Sequence, residues 1–199
     1  MRTRNPQTEY IASTLDSVGG HPALNFINTL HMVGGELTDA WQSDEDVAAW
    51  IVREGLRDTL PSTTWPAGAL LGKARNLREI ARKAVEARKA KETLPLDELN
   101  GFLEHSVSHC VLSAKSQIDL HFERVYGQKT VEQYLAPVVE SVGELLSHAD
   151  FDLVRHCESE QCVLWFYDRT KTHRRRWCSP QTCGNRAKVA AFRARARTS

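Results

Sequence analysis

The stretch CESEQCVLWFYDRTKTHRRRWCSPQTCGNR, Cys157 to Arg186, holds four of the chain's five cysteines as two equally spaced pairs. Nothing else in the sequence constrains the fold as much. The pattern is C-x4-C at 157 and 162, fifteen intervening residues, then C-x4-C at 178 and 183. Zinc prefers tetrahedral thiolate ligation, and two short cysteine loops brought together by a returning chain close such a site. The residues between suit a hairpin: VLWFY alternates as a strand, DRTK supplies turn residues, and HRRRW returns. Cys157, Cys162, Cys178 and Cys183 are therefore the candidate ligands of a structural Zn2+. Disulfides and free thiols are the alternatives, and a reducing compartment favours metal over disulfides. A catalytic zinc keeps one coordination position open, whereas four cysteines fill the sphere, and His156 and His173 read as polar surface. No catalytic residue is assigned. A module this short has too small a core to fold by burial alone, so its metal-binding free energy is its folding free energy.

Around the cysteines the charge changes sign. From residue 151 onward eleven Lys and Arg face four acids, a balance of +7, which leaves −6 for residues 1–150 within an overall +1. Four thiolates around one Zn2+ lower the module's +7 to about +5. The basic module is expected to have an anionic partner, and the acidic remainder is not expected to grip nucleic acid. The opening MRTRNPQTEYIAST has no apolar core of signal-peptide length, and no stretch approaches the roughly 18 apolar residues of a membrane span. These features predict a soluble, cytoplasmic protein with no membrane association. The fifth cysteine, Cys110, reads as a small buried apolar residue.

Before the cysteines the periodicity is mostly helical. After a polar, loose stretch over 1–20, HPALNFINTLHM reads as a short helix with Leu24, Ile27 and Leu30 on one side, ended by Gly34-Gly35. Ser43 reads as the N-cap, with Asp46 as an imperfect capping box, of a helix burying Val47, Trp50 and Ile51, and Gly55 stops it. Pro66 opens a long helix to about residue 91, and a shorter one follows Pro95. Ile118, Leu120 and Phe122 alternate with polar residues as a half-buried strand, with Val111-Leu112 as its hairpin partner. Thr130 and Gln133 open a helix to about His148, with Pro137 inside it. The predicted class is mainly α with a small β-hairpin (α+β). A helical domain over 1–150 precedes a four-cysteine finger over 151–199, built of a β-hairpin plus a helix and joined near Asp150–Arg155.

Particular motifs also resemble a known family. RRWC at Arg175–Cys178, CGNR at Cys183–Arg186, then Lys188 and an arginine-rich helix resemble the CGNR-type zinc finger. GGHPALNFINTL, a helix with Trp50, and ARNLREIARKA resemble the ABATE domain that usually precedes that finger. The resemblance implies a stress-induced transcriptional regulator, zinc on the four cysteines and DNA binding by the finger.

On the C-terminal helix, at 100° per residue, Arg186, Arg193 and Arg197 fall within about 40° of one another. Val189, Phe192 and Ala196 form an adjacent apolar seam, expected to dock on Trp165, Phe166 or Trp177, with Lys188 and Arg195 on its far side. Asn185 reads as the cap of this helix. Arg174 and Arg176 share the outward face of the returning strand, and Arg175 turns inward toward an aromatic. The candidate nucleic-acid contacts are Arg174, Arg176, Arg186, Lys188, Arg193, Arg195 and Arg197, with DNA the expected polymer. The alternative is a protein-interaction adaptor whose finger binds an acidic surface. The acidic domain would dimerise or sense a small-molecule effector, with His21, Asn25 and Asn28 on one helix side as a candidate pocket and His31 nearby.

Overall fold

The computed structural model describes residues 18–114, 116 and 118–197, of Arg197 the backbone alone. The N-terminal stretch expected to be loose lies outside the described residues as far as residue 17. The first helix, α1 (Pro22–Ile27), starts where the His21 ring accepts the Ala23 N–H, with Pro22 in the first turn. It is shorter than its apolar period suggested. The chain then forms a hairpin of β1 (Leu30–Val33) and β2 (Glu36–Asp39) around Gly34 and Gly35. Both glycines have positive φ, +60° and +95°, the backbone of a two-residue hairpin turn that matches strand twist. The pair read as a helix stop is thus a strand reversal.

Next comes α2 (Asp44–Arg53), and its capping box is complete: Ser43 Oγ accepts from Asp46 N, and Asp46 accepts from Ser43 N. Asp44 has a second role. Its carboxylate accepts the N–H groups of Gly68 and Leu71 at 2.8 and 2.7 Å, supplying the cap that Gly68 lacks for α3 (Ala69–Ala90). Helices α3, α4 (Leu96–Leu103) and α5 (Val131–His148) bury their apolar faces with α1 in one core, whose aromatic centre is Phe26, Trp41 and Trp50 with rings 5.5–5.7 Å apart. Pro137 does not break α5. Its missing N–H frees the Gln133 carbonyl, which accepts from the Arg57 guanidinium at 2.7 Å, while Tyr134 O accepts from Arg57 Nε at 2.9 Å.

Arg78, 3% exposed, grips Asp39 at 2.6–2.9 Å, donates to Thr29 Oγ1 and lies over Trp41. Burial pushes the Asp39 carboxyl up, but the Arg78 hydrogen bond, the Trp41 N–H and the Arg78 and Arg75 charges outweigh it and hold the pKa below its usual 3.8. A depressed carboxylate stabilises the fold above its ordinary pKa and loses that contribution as pH falls through the folded value. Asp39→Asn is expected to cost about 3 kcal/mol at pH 7, because it leaves a buried guanidinium half-paired. Urea unfolding at falling pH should show this deficit shrinking below about pH 4.

The second hairpin, β3 (Ser108–Ala114) with β4 (Leu120–Tyr126), pairs as expected, with Leu112 opposite Phe122. Its apolar face is not half-buried, however. Leu112, Leu120 and Phe122 are exposed, Ile118 lies fully open, and Cys110 is exposed rather than packed. The ribbon leans on the body at its base, where Tyr126 donates to Glu140 and the Arg57 guanidinium lies over the Tyr126 ring.

The third hairpin pairs β5 (Val154–His156) with β6 (Trp165–Tyr167), so VLWFY does not pair with HRRRW. Asp168 is the reason. Its buried carboxylate accepts from Thr170 N, Thr170 Oγ1 and Arg175 N, folding 168–175 back over itself. Residues 174–176 run in irregular backbone, and the Arg176 carbonyl accepts from Glu158 N beside the first cysteine.

Candidate metal centre

Each half of the cysteine cluster is preformed by local backbone. In the first loop Cys157 N donates to Leu164 O and Cys162 N to Ser159 O, so the x4 loop closes across the β5–β6 pair. In the second, Ser179 Oγ accepts from Thr182 N and caps a π-helical turn, Pro180–Gly184, that contains Cys183 and runs straight into α6 (Asn185–Arg197). Ser179, not Asn185, is therefore the cap. The helical axis begins five residues earlier than read, which moves Arg186 off the positive end of the helix dipole.

The four sulfurs lie within 4.8 Å of one another, with Cys162–Cys178 at 3.7 Å and Cys178–Cys183 at 3.6 Å. A tetrahedron of sulfurs about 2.3 Å from zinc has edges of about 3.8 Å, so the quartet fits the ion. Protonation points the same way. Hydrogen bonds from the Cys162 and Cys178 thiols, then backbone N–H groups including those of Cys178 and Ser159, pull the Cys157 thiol well below its usual range. Donating to that sulfur pushes Cys162 and Cys178 up. Four sulfurs this close hold few thiolates without a cation, and a divalent ion lets all four ionise. His156 stacks edge-on against Trp165 and His173 sits in the Asp168 loop, so neither joins the quartet.

Little else holds the module together. Its own core is Cys157, Leu164, Phe166, Cys178 and Cys183, with Val18, Cys162, Val163 and Trp177 against it. Arg175 braces that core as expected, lying 4.3 Å over Phe166 and donating to the carbonyls of Trp177, Val18 and Cys178. The rest of the support comes from the helical body. Asn28, fully buried, donates to Trp165 O at 2.7 Å and accepts from Trp165 N at 2.9 Å. Arg82 on α3 bridges the Ile27 carbonyl at 2.6 Å and the Val163 carbonyl at 3.5 Å, and Val154 and Trp165 belong to the main core.

The proposed pocket residues separate accordingly. Asn28 is occupied by Trp165, and Asn25 is occupied by Glu54 and by Gly19 N. Gly19 approaches so closely that an added Cβ would lie 2.6 Å from the Asn25 oxygen. His31 is buried on β1. His21 faces a cleft of about 490 Å³ also lined by Arg57, Tyr126, Glu140 and Glu144.

The basic residues separate too. Arg176 is paired with Glu158 at 2.6 Å and lies over Trp177. Arg174, Arg186, Lys188 and Arg193 are exposed, and their side chains make no hydrogen bond or ion pair to any described residue. Arg195 is exposed, and the side chain of Arg197 lies outside the described residues. The expected docking of the α6 seam does not occur. Val189 is 49% and Phe192 73% exposed, and among the described residues α6 packs chiefly on its own π-helical turn.

Residues 20–149, well over half of the chain, match the ABATE family model, whose description reads "Putative stress-induced transcription regulator". The chain belongs to the ABATE family. Behind its ABATE domain, residues 154–196 match the CGNR zinc finger, which contains all four clustered cysteines, so the ion that this ABATE protein holds is a structural zinc. No curated protein matches the chain significantly. Among the described residues, no helix of this ABATE protein is long and apolar enough to cross a membrane.

Sequence reasoning assigned Asn28 to a pocket rather than to the joint between finger and body, and did not single out the Asp168 carboxylate that folds the finger. They act through contacts 137 and 7 residues away, and no local pattern announces either. Ser179 was findable: a serine directly before Pro180, a residue favoured in the first helical position, is a capping signal.

Proposed function

We propose that this ABATE protein is a transcription regulator whose zinc finger binds DNA through phosphate contacts. The observation that supports this reading is the set of exposed cations Arg174, Arg186, Lys188 and Arg193 on the finger, whose side chains have no partner among the described residues. Cations that serve the fold are paired, as Arg78, Arg82, Arg175 and Arg176 are. Those left in water repel one another, and a polyanion relieves that repulsion while releasing its counterions. Arg176, Arg195 and Arg197 extend the same contact set, Arg176 at the cost of its Glu158 pair. The acidic body supplies regulation: an effector in the cleft beside His21 and Tyr126, and a second copy across the open β3–β4 ribbon, whose strands are marginal alone.

Arg186→Glu with Arg193→Glu tests the reading, because both side chains lie on an exposed helix and their reversal leaves the core intact. Fluorescence anisotropy on duplex DNA from about 50 to 200 mM salt should show binding at least tenfold weaker, with a log–log salt slope shallower by about 2. An unchanged slope contradicts phosphate binding by α6. Wild-type affinity that vanishes by 200 mM, with retained binding to an acidic protein surface, favours the adaptor instead.

A further inference from the structure

Resting on that reading, we infer that α6 lies along the major groove of B-form DNA with its bare apolar ridge on the base edges and a basic row toward each phosphate strand. Thirteen residues form a helix about 20 Å long, and isolated helices of that length are marginal in water. This one leaves its only large apolar residues, Phe192 and the half-exposed Val189, open to water. Around the helix axis Val189, Phe192 and Ala196 span about 60°, Arg186 and Arg193 lie on one flank, and Lys188 and Arg195 on the other. The remaining positions are largely alanine, which keeps the helix slim.

A narrow apolar strip between two cationic rows has a matching counterpart in one common surface. The major groove is about 12 Å wide, admits an α-helix, carries a phosphate strand on each side, and exposes thymine C5-methyl groups on its floor. Duplex RNA does not match, because its A-form major groove is deep and too narrow for side chains to read. An anionic membrane would demand a broader apolar face than one phenylalanine, one valine and alanines. An acidic protein surface offers charge without two parallel rails. The π-helical turn tied to Cys183 fixes the base of α6, so the zinc cluster sets the direction in which the ridge projects.

The test uses the full zinc-loaded chain and three probes of one T-rich sequence: duplex DNA, the same duplex with deoxyuridine replacing thymine, and duplex RNA. Phe192→Ala should weaken binding to the thymine duplex about tenfold with the salt slope unchanged, because it removes an apolar contact and no charge. Deoxyuridine, which lacks the methyl group, should weaken the wild-type chain several-fold and the Phe192→Ala chain hardly at all. Duplex RNA should bind at least tenfold more weakly at matched salt. If neither Phe192→Ala nor deoxyuridine has an effect while the Arg186→Glu/Arg193→Glu chain still loses its slope, the groove inference falls and the phosphate reading stands. No binding to any duplex removes both. Anionic phosphatidylserine vesicles that bind the wild-type chain, fail to bind Phe192→Ala and compete with DNA would overturn the inference in favour of a lipid surface.

Discussion

Removing zinc with a chelator is expected to unfold the finger outright and to weaken the ABATE body with it. Structural zinc binding at neutral pH is worth about 10–16 kcal/mol, against a total stability of about 5–15 kcal/mol for an ordinary domain. The finger's core of five buried residues, three of them ligands, offers no substitute. Loss of the ion also removes the charge that lets adjacent sulfurs ionise together, and leaves Cys162 and Cys178 as protonated donors to Cys157. The damage spreads through Trp165, whose ring belongs to the main core and whose backbone is held by Asn28. Near-ultraviolet circular dichroism should lose the Trp165 and Trp177 signals, thermal melting should shift down by well over 10 °C, and added zinc should restore both. Full retention of the metal-free signal would show that the cysteines serve another purpose.

The second large effect is expected from Asn28→Ala. Both Asn28 amide atoms are satisfied by Trp165 at 2.7 and 2.9 Å in a site that water does not reach. Alanine leaves a buried N–H and a buried carbonyl unpaired, each costing about 1–3 kcal/mol, for a total of about 4 kcal/mol. Asn28→Asp keeps the acceptor and loses the donor while burying a charge, so it should be no better. Because the lost bonds join finger to body, urea unfolding followed by tryptophan emission should separate into two transitions, with the finger leaving first. A single transition displaced by less than about 1 kcal/mol would mean that the two parts are held together elsewhere.

These expectations depend on contacts that sequence reading reaches unevenly. Local chemistry was legible: the Ser43–Asp46 box, the Thr130 cap and the cysteine spacing each determine structure within a few residues of themselves. Pairing between distant segments was not. HRRRW alternates well enough for a strand, but the buried Asp168 carboxylate bends the chain before it can pair with WFY. Gly34-Gly35 serves equally to end a helix or turn a hairpin, and only the burial of Trp41 and Arg78 around β1–β2 decides between them. Periodicity also identifies which side chains share a face without saying whether anything covers it. Leu120, Phe122 and Phe192 were all assigned cover, and all three face water. For Phe192 that misassignment is what exposes the apolar ridge of α6 as an external surface.

The central claim is that a zinc-clamped finger holds unpaired cations in position for a polyanion. Its most direct measurement is the salt dependence of duplex DNA binding by the full chain, zinc-loaded and chelated side by side. At least four phosphate contacts predict a log–log slope of about −4 or steeper for the loaded protein. Chelated protein should bind much more weakly at every salt concentration, because its cations no longer share one rigid frame. Equal affinity with and without zinc, or a loaded protein whose binding ignores salt, would contradict the account.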